Sequence, residues 1–228
     1  EHQVGRHEFP HLLEMLRRAG CTRLVVNGHH LSGMIARCLA DQPEVVFQDE
    51  PLILGTGGSL REAMAHFAEE PLLVMNGDIV HNIDIPGLYR HHLASGNAVT
   101  MALHDLPRFN SVLVAGSRIR SFRPGRDQGA GLLAYTGIQV VNPEVIRRIP
   151  PGGFVHIIDL YEELCRQDVP LGFMRVDGCW WRDIGTPEDY LQLHEELLTG
   201  KQTCPLARPR PEGPWLVSPE ARTGAGLR

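Results

Sequence analysis

Two aspartates stand where a hard cation can be held. Asp78 follows the fully apolar run Leu72-Leu73-Val74-Met75 and the pair Asn76-Gly77, where glycine lets the chain turn sharply. Asp183 lies in Trp180-Trp181-Arg182-Asp183-Ile184-Gly185-Thr186, between an aromatic strand and a helix start. Mg²⁺ takes one or two carboxylates and completes its shell with water and phosphate oxygens, so carboxylates from two separate strand ends suit a metal that bridges phosphates. Each aspartate also has a plain structural reading. Asp78 can be a turn residue bonded to its own backbone, and Asp183 can serve the cap of the helix that follows. A third feature, Gly55-Thr56-Gly57-Gly58, precedes a helical stretch whose first N–H groups suit a phosphate or the edge of a base. It matches neither GxGxxG nor a Walker loop, and taken alone it reads as a tight strand–helix connection.

Other chemistries leave no trace. The twelve histidines include His29-His30 and His91-His92, but neither pair has the i, i+4 spacing of a helical zinc site, so surface or helix-start positions are expected. There is no GxSxG elbow, and none of the five cysteines sits in a nucleophile context. A net charge of −5 carries no basic excess, which argues against a nucleic-acid partner. No apolar run is long enough to cross a bilayer, so no membrane partner is expected. The cysteines are odd in number and never form CxxC, which suggests a reducing compartment. A cytoplasmic location is the expectation.

Positioning these residues requires a layered fold. Leu12, Leu13, Met15 and Leu16 lie at helical spacing and stop at Gly20. Leu24-Val25-Val26 reads as a buried strand closed by an Asn27-Gly28 turn, followed by a helical face at Leu31, Met34, Ile35, Cys38 and Leu39. Val45-Val46-Phe47 is a strand, Leu60, Ala63, Met64 and Phe67 a helical face, and Leu72 to Met75 a strand again. Such alternation predicts a parallel sheet covered on both faces, with ligands outside the carboxyl ends of its strands. Val99 to Leu103, Val112 to Ala115, Ile119 to Phe122 and Tyr135 to Val141 read as an antiparallel or mixed extension. Helical patterns return at Pro143–Ile149, Asp159–Gln167 and Thr186–Leu198, the last with a Thr N-cap, Pro at N1 and acids in its first turn.

The expected organisation is a catalytic domain over 1–200 and a tail over 201–228. Pro205, Pro209, Pro211 and Pro214 break regular structure there. The stretch Trp215 to Leu227 is either a bland terminal tail or the opening rung of a hexapeptide-repeat left-handed β-helix, which cannot stack alone.

Taken jointly, four stretches resemble the sugar-1-phosphate nucleotidyltransferase family, of the mannose-, heptose- and N-acetylmuramate-1-phosphate type. They are Glu50 to Ala63, Leu72 to Asp78, Tyr135 to Glu144 and Trp181 to Tyr190, with Arg23 to Leu31 also similar. The resemblance implies a Rossmann-like, doubly wound α/β fold with a mixed sheet. It implies transfer of a nucleotidyl group from GTP or UTP to a sugar 1-phosphate, with Mg²⁺ held by Asp78 and Asp183. On the same ground, Gly55, Thr56, Gly57 and Gly58 lie against base and ribose, with Gln48 or Glu50 reading the base. Gly137 lets the sugar approach the strand, and Asn110, Asn142 and Glu144 are sugar-hydroxyl candidates. A monomer or homodimer is expected.

Two departures qualify the resemblance. The family opens with a strand and a glycine-rich loop that cradle the triphosphate, and nothing in Glu1 to Pro10 matches. The expectation is that residues of that strand precede Glu1. Where many relatives place a Glu-Lys pair toward the sugar phosphate, this chain has Phe122-Arg123, and Arg is not an equivalent point charge. The competing readings are a catalytically silent sugar-nucleotide-binding regulatory subunit, motivated by the missing loop, and a glycosyltransferase. The latter usually carries Asp-x-Asp, which this chain lacks.

Overall fold

The computed structural model describes residues 8–125 and 131–202. The Pro-rich stretch and the Trp215 to Leu227 segment therefore lie outside the described residues. In chain order the elements are α1 (Glu8–Arg18), β1 (Leu24–Gly28), α2 (Ser32–Leu39), β2 (Val45–Asp49), α3 (Gly55–Ala63), β3 (Leu72–Met75), β4 (Ile79–His81), α4 (Ile85–Ser95) and β5 (Val99–His104). They continue with β6 (Val112–Ala115), β7 (Arg118–Ser121), β8 (Leu132–Val141), α5 (Pro143–Ile146), α6 (Ile157–Arg166), β9 (Leu171–Arg175), β10 (Trp181–Asp183) and α7 (Pro187–Thr199). This is a mixed α/β architecture divided into two compact units, the smaller made, among the described residues, of Asp78–Asn82 and Trp180 to Gln202.

The larger unit holds a six-stranded sheet in the order β3-β8-β5-β9-β7-β6, in which β5 and β9 are parallel and the other neighbours antiparallel. Alternation along β5 builds its layers. Val99, Met101 and Leu103 enter a cluster with Tyr161 and Leu164 of α6, while Thr100 bonds His92 of α4. Tyr161, Leu164 and Leu171 are fully buried, each stabilising the unit by about 1.5–3 kcal/mol relative to exposure.

The structure departs from the sequence expectation in two places. β1 and β2 pair in parallel with Asn27 opposite Gln48 and Gly28 opposite Asp49, so Asn27-Gly28 continues the strand and does not turn. Gly28 is small for packing, since a Cβ there would lie 2.9 Å from Ile35 Cδ1 and 3.1 Å from Phe47 Cε2. In addition, β3 does not extend this parallel pair. Among the described residues it pairs only with β8, antiparallel. An apolar run reports burial on both faces but carries no record of partner or direction.

The smaller unit is a short antiparallel ribbon, β4 with β10, followed by α7. The cap at Thr186 has the expected form. Its Oγ1 accepts from Asp189 N at 3.1 Å and donates to Asp189 Oδ2 at 2.9 Å, with Pro187 opening the helix. Arg182 on β10 donates two hydrogen bonds to Glu196 of α7, at 3.2 and 3.0 Å, and these hold the Glu196 carboxyl below its usual range.

Candidate active site

The ribbon brings Asp78 and Asp183 together. Asp183 sits opposite Ile79, and one step further Ile184 N donates to the Asp78 carbonyl at 2.9 Å, so the ladder continues past the last strand residue. Asp78 stands just before β4 and not at the end of β3 as its sequence position suggested, because Asn76-Gly77 separates the two strands. Its carboxylate is exposed, and among the described residues no side chain or N–H group pairs with it. Asp183 is half-buried and its Oδ1 accepts the Gly185 N–H at 2.8 Å. The two carboxylates flank the Gly185 Cα. A Cβ there would lie 3.1 Å from Asp183 Oδ1 and 3.4 Å from Asp78 Oδ2, so the oxygens are no further apart than the sum of those distances.

This donor set fits Mg²⁺. Among the described residues no group of three or more His, Cys, Asp or Glu side chains could hold a metal alone. Two hard oxygen donors with open coordination around them are what a metal shared with phosphates requires. Asp183 does not cap α7, a role taken by the Thr186 side chain.

In the larger unit the glycine segment is itself the first turn of α3 and not a loop ahead of it. Its glycines answer to a neighbouring chain segment. Gly57 N donates to the Val155 carbonyl at 2.9 Å, and Val155 N donates to the Leu54 carbonyl at 2.8 Å. A Cβ on Gly55 or Gly57 would lie 2.7 or 2.8 Å from the Val155 oxygen, and one on Gly58 2.6 Å from the Gly153 oxygen. Gly55 also has φ +67°, and Thr56 is exposed.

Beside this turn lies a polar cluster that the sequence reading only half anticipated. Glu50, 4% exposed, accepts from Gln48 Nε2 at 2.8 Å through one oxygen and from Ser59 Oγ at 2.9 Å through the other. Gln48 Nε2 also donates to the Ser59 carbonyl at 3.1 Å. Two acceptors face that nitrogen, so the amide orientation is determined, and the atom turned the other way is Oε1. It is buried and has no donor among the described residues. Ser59 was missed because a serine within a helical run carries no sign of the carboxylate it will meet.

The remaining candidates are dispersed within the larger unit. Gly137, at φ +82°, accepts from Asn76 N at 3.0 Å, and a Cβ there would meet the Asn76 side chain at 2.9–3.1 Å. Asn110 has its amide engaged with Asp105 Oδ1 and Leu106 N, both at 2.9 Å. Asn142 joins a buried network in which His92 bridges Thr100 Oγ1 at 2.9 Å and Asn142 Oδ1 at 2.8 Å. His92 is thus a core residue and not the surface histidine expected, and burial holds its pKa below the usual value. Glu144 is exposed on α5. Arg123 pairs with Asp159, and its backbone N donates to Glu162 Oε1 at 2.8 Å.

The fold belongs to a known class. The family model described as nucleotidyl transferase matches residues 8–200, and the chain belongs to that family. Among curated relatives it is similar to the mannose-1-phosphate guanylyltransferase of Mycobacterium tuberculosis, 26% identical over 216 residues, covering 90% of this chain and 60% of that protein. It is also similar to the mannose-1-phosphate guanylyltransferase catalytic subunit beta of Drosophila melanogaster, 28% identical over 233 residues, covering 96% of this chain and 63% of that one. The chain therefore spans about three fifths of the length of these relatives. Its fold is similar to that of HddC from Yersinia pseudotuberculosis, with a TM-score of 0.66 at 20% identity, covering 81% of this chain and 83% of that one. No helix among the described residues is long and apolar enough to cross a membrane.

Proposed function

We propose that this protein transfers a nucleotidyl group from GTP or UTP to a sugar 1-phosphate, releasing pyrophosphate. The observation that carries this reading is the convergence of Asp78 and Asp183 at Gly185. In the reaction an oxygen of the sugar phosphate attacks the α-phosphorus, the bond from that phosphorus to the bridging β-oxygen breaks, and pyrophosphate leaves in line. The protein has little covalent work to do, and its contribution is positioning and charge neutralisation. Asp78 and Asp183 would hold Mg²⁺, which supplies Lewis-acid stabilisation of charge on the phosphate oxygens when bound. Names among the relatives support this class, with guanylyl transfer to mannose 1-phosphate and to a heptose 1-phosphate, and uridylyl transfer to glucose 1-phosphate.

Gln48 is the base-reading group in this proposal. Its amide N–H groups face Glu50 and the Ser59 carbonyl, which leaves the buried Oε1 as an acceptor with no donor among the described residues. Guanine N1–H or uracil N3–H supplies the matching donor, and an unmet polar atom discriminates strongly against a base that lacks it. Gly55 and Thr56, at the start of α3, are further nucleotide-binding candidates within the larger unit, and Gly137 is its sugar-binding candidate. Asn110 and Asn142 each have both ends of the amide engaged within the fold, which makes them weaker sugar contacts than Glu144.

The test is pyrophosphate release with GTP and UTP, each paired with mannose, heptose and glucose 1-phosphates. Turnover with one pairing, dependent on Mg²⁺, is expected. Binding of a nucleotide sugar with no release from any pairing would instead identify a silent regulatory subunit.

A further inference from the structure

Gly185 presents an unusual case, because neither its backbone conformation nor packing against the described residues requires a glycine there. It is exposed, so packing does not demand a small residue. Its φ lies outside the left-handed region, so any L-residue can adopt its backbone conformation. Among the described residues other than its chain neighbours, a Cβ at this position would meet two atoms within 4 Å, Asp183 Oδ1 at 3.1 Å and Asp78 Oδ2 at 3.4 Å. Meanwhile the Gly185 N–H donates to Asp183 Oδ1, and the adjacent Ile184 N–H ties down the Asp78 carbonyl.

We propose that Gly185 is a positioning residue of the cation site: its N–H sets the Asp183 carboxylate, and its missing side chain leaves the space between the Asp183 and Asp78 oxygens open. This rests on the reading of the two aspartates as Mg²⁺ ligands. A methyl group at 185 pushes Asp183 Oδ1 back by a few tenths of an ångström and sits in van der Waals contact with Asp78 Oδ2. Mg²⁺ demands near-ideal octahedral bonds at about 2.0–2.1 Å, whereas Ca²⁺ accepts about 2.3–2.6 Å and irregular shells. The displacement therefore weakens Mg²⁺ more than Ca²⁺, and a purely structural glycine would show no such preference between cations.

The experiment is cation binding to the full 228-residue chain, read by Mn²⁺ paramagnetic resonance with competition by Mg²⁺ and Ca²⁺, alongside the melting temperature. Wild type, Gly185→Ala and Asp183→Asn are compared. The expected result is a loss of about tenfold or more in Mg²⁺ affinity for Gly185→Ala, the scale at which supporting groups tune metal sites. A smaller loss for Ca²⁺ and an unchanged melting temperature should accompany it. Wild-type affinity for both cations in Gly185→Ala, or failure of that variant to fold, overturns the inference. If Asp183→Asn keeps wild-type Mn²⁺ binding, the metal reading itself fails, whatever Gly185→Ala does.

Discussion

The glycines at 57–58 and at 185 look alike in sequence and have opposite reasons to be there. At Gly57 and Gly58 a Cβ would strike backbone carbonyls of Val155 and Gly153, which cannot move without moving the chain. At Gly185 it would meet two carboxylate oxygens and, among the other described residues beyond its chain neighbours, nothing else within 4 Å. The first pair lets two segments of the larger unit touch. The second leaves room beside two charges. A polar or glycine-rich region is a site where its groups remain open after the fold has used what it needs. The same contrast separates the Asp78 carboxylate, without a partner among the described residues, from His92, bonded on both ring nitrogens.

The sharpest way to break this contrast is to neutralise the open charges. Asp78→Asn and Asp183→Asn should each lower pyrophosphate release by about two orders of magnitude or more, the scale of removing one group that stabilises transition-state charge. Both variants should remain folded, because Asp78 is exposed and α7 keeps its own cap at Thr186. Full activity in both would remove the carboxylate pair from the mechanism.

Next in size is a pH effect on the closed side of the same ribbon. Burial lowers the His81 pKa to about 4, against about 6.5 for a free imidazole. The unfolded chain then binds the extra proton first. The contribution is fully present above pH 6.5 and is lost as pH falls toward 4, reaching roughly 3 kcal/mol. His92, also lowered by burial, adds to it in the same direction. Denaturant midpoints between pH 7.5 and 4.5 should fall on this curve, and His81→Phe should flatten it. A flat wild-type curve would place His81 in contact with water.

Gly58→Ala tests the other half of the comparison. A clash at 2.6 Å with the Gly153 carbonyl should cost about 3 kcal/mol, or roughly 5–10 °C in melting temperature. Activity per folded molecule should change little, since the substitution acts on the contact between two segments. A stable Gly58→Ala with altered nucleotide affinity would move these glycines to the binding side.

Much of this was legible in the sequence. Apolar runs marked β3, β5, β6 and β8, and Thr186-Pro187 marked the start of α7 to the residue. The two aspartates stood out as candidates from their sequence context, and the ribbon places them side by side. What was not legible is pairing. Ile79–His81 became a ribbon strand only because Trp181–Asp183, about a hundred residues later, lies beside it. β9, at Leu171–Arg175, was overlooked for the same reason, being short and placed by its parallel neighbour β5. The purpose of Gly185 depends on that pairing too, because its two carboxylates meet only once β4 and β10 are joined.

The smallest expected effect concerns two glutamines. Gln139 is buried on β8, and its Oε1 accepts from the Tyr161 hydroxyl at 2.9 Å, so its acceptor is satisfied inside the core. Gln48 has the same chemistry with its acceptor unmet among the described residues. Tyr161→Phe removes the donor and leaves Gln139 in the position Gln48 already occupies. The cost should be about 1 kcal/mol, at the low end for an unsatisfied buried acceptor because the amide can turn. It should appear as a small shift in denaturant midpoint with an unchanged slope, and base preference should not change. If Tyr161→Phe altered the choice between GTP and UTP, the line between the closed polar core and the open nucleotide side would be drawn in the wrong place.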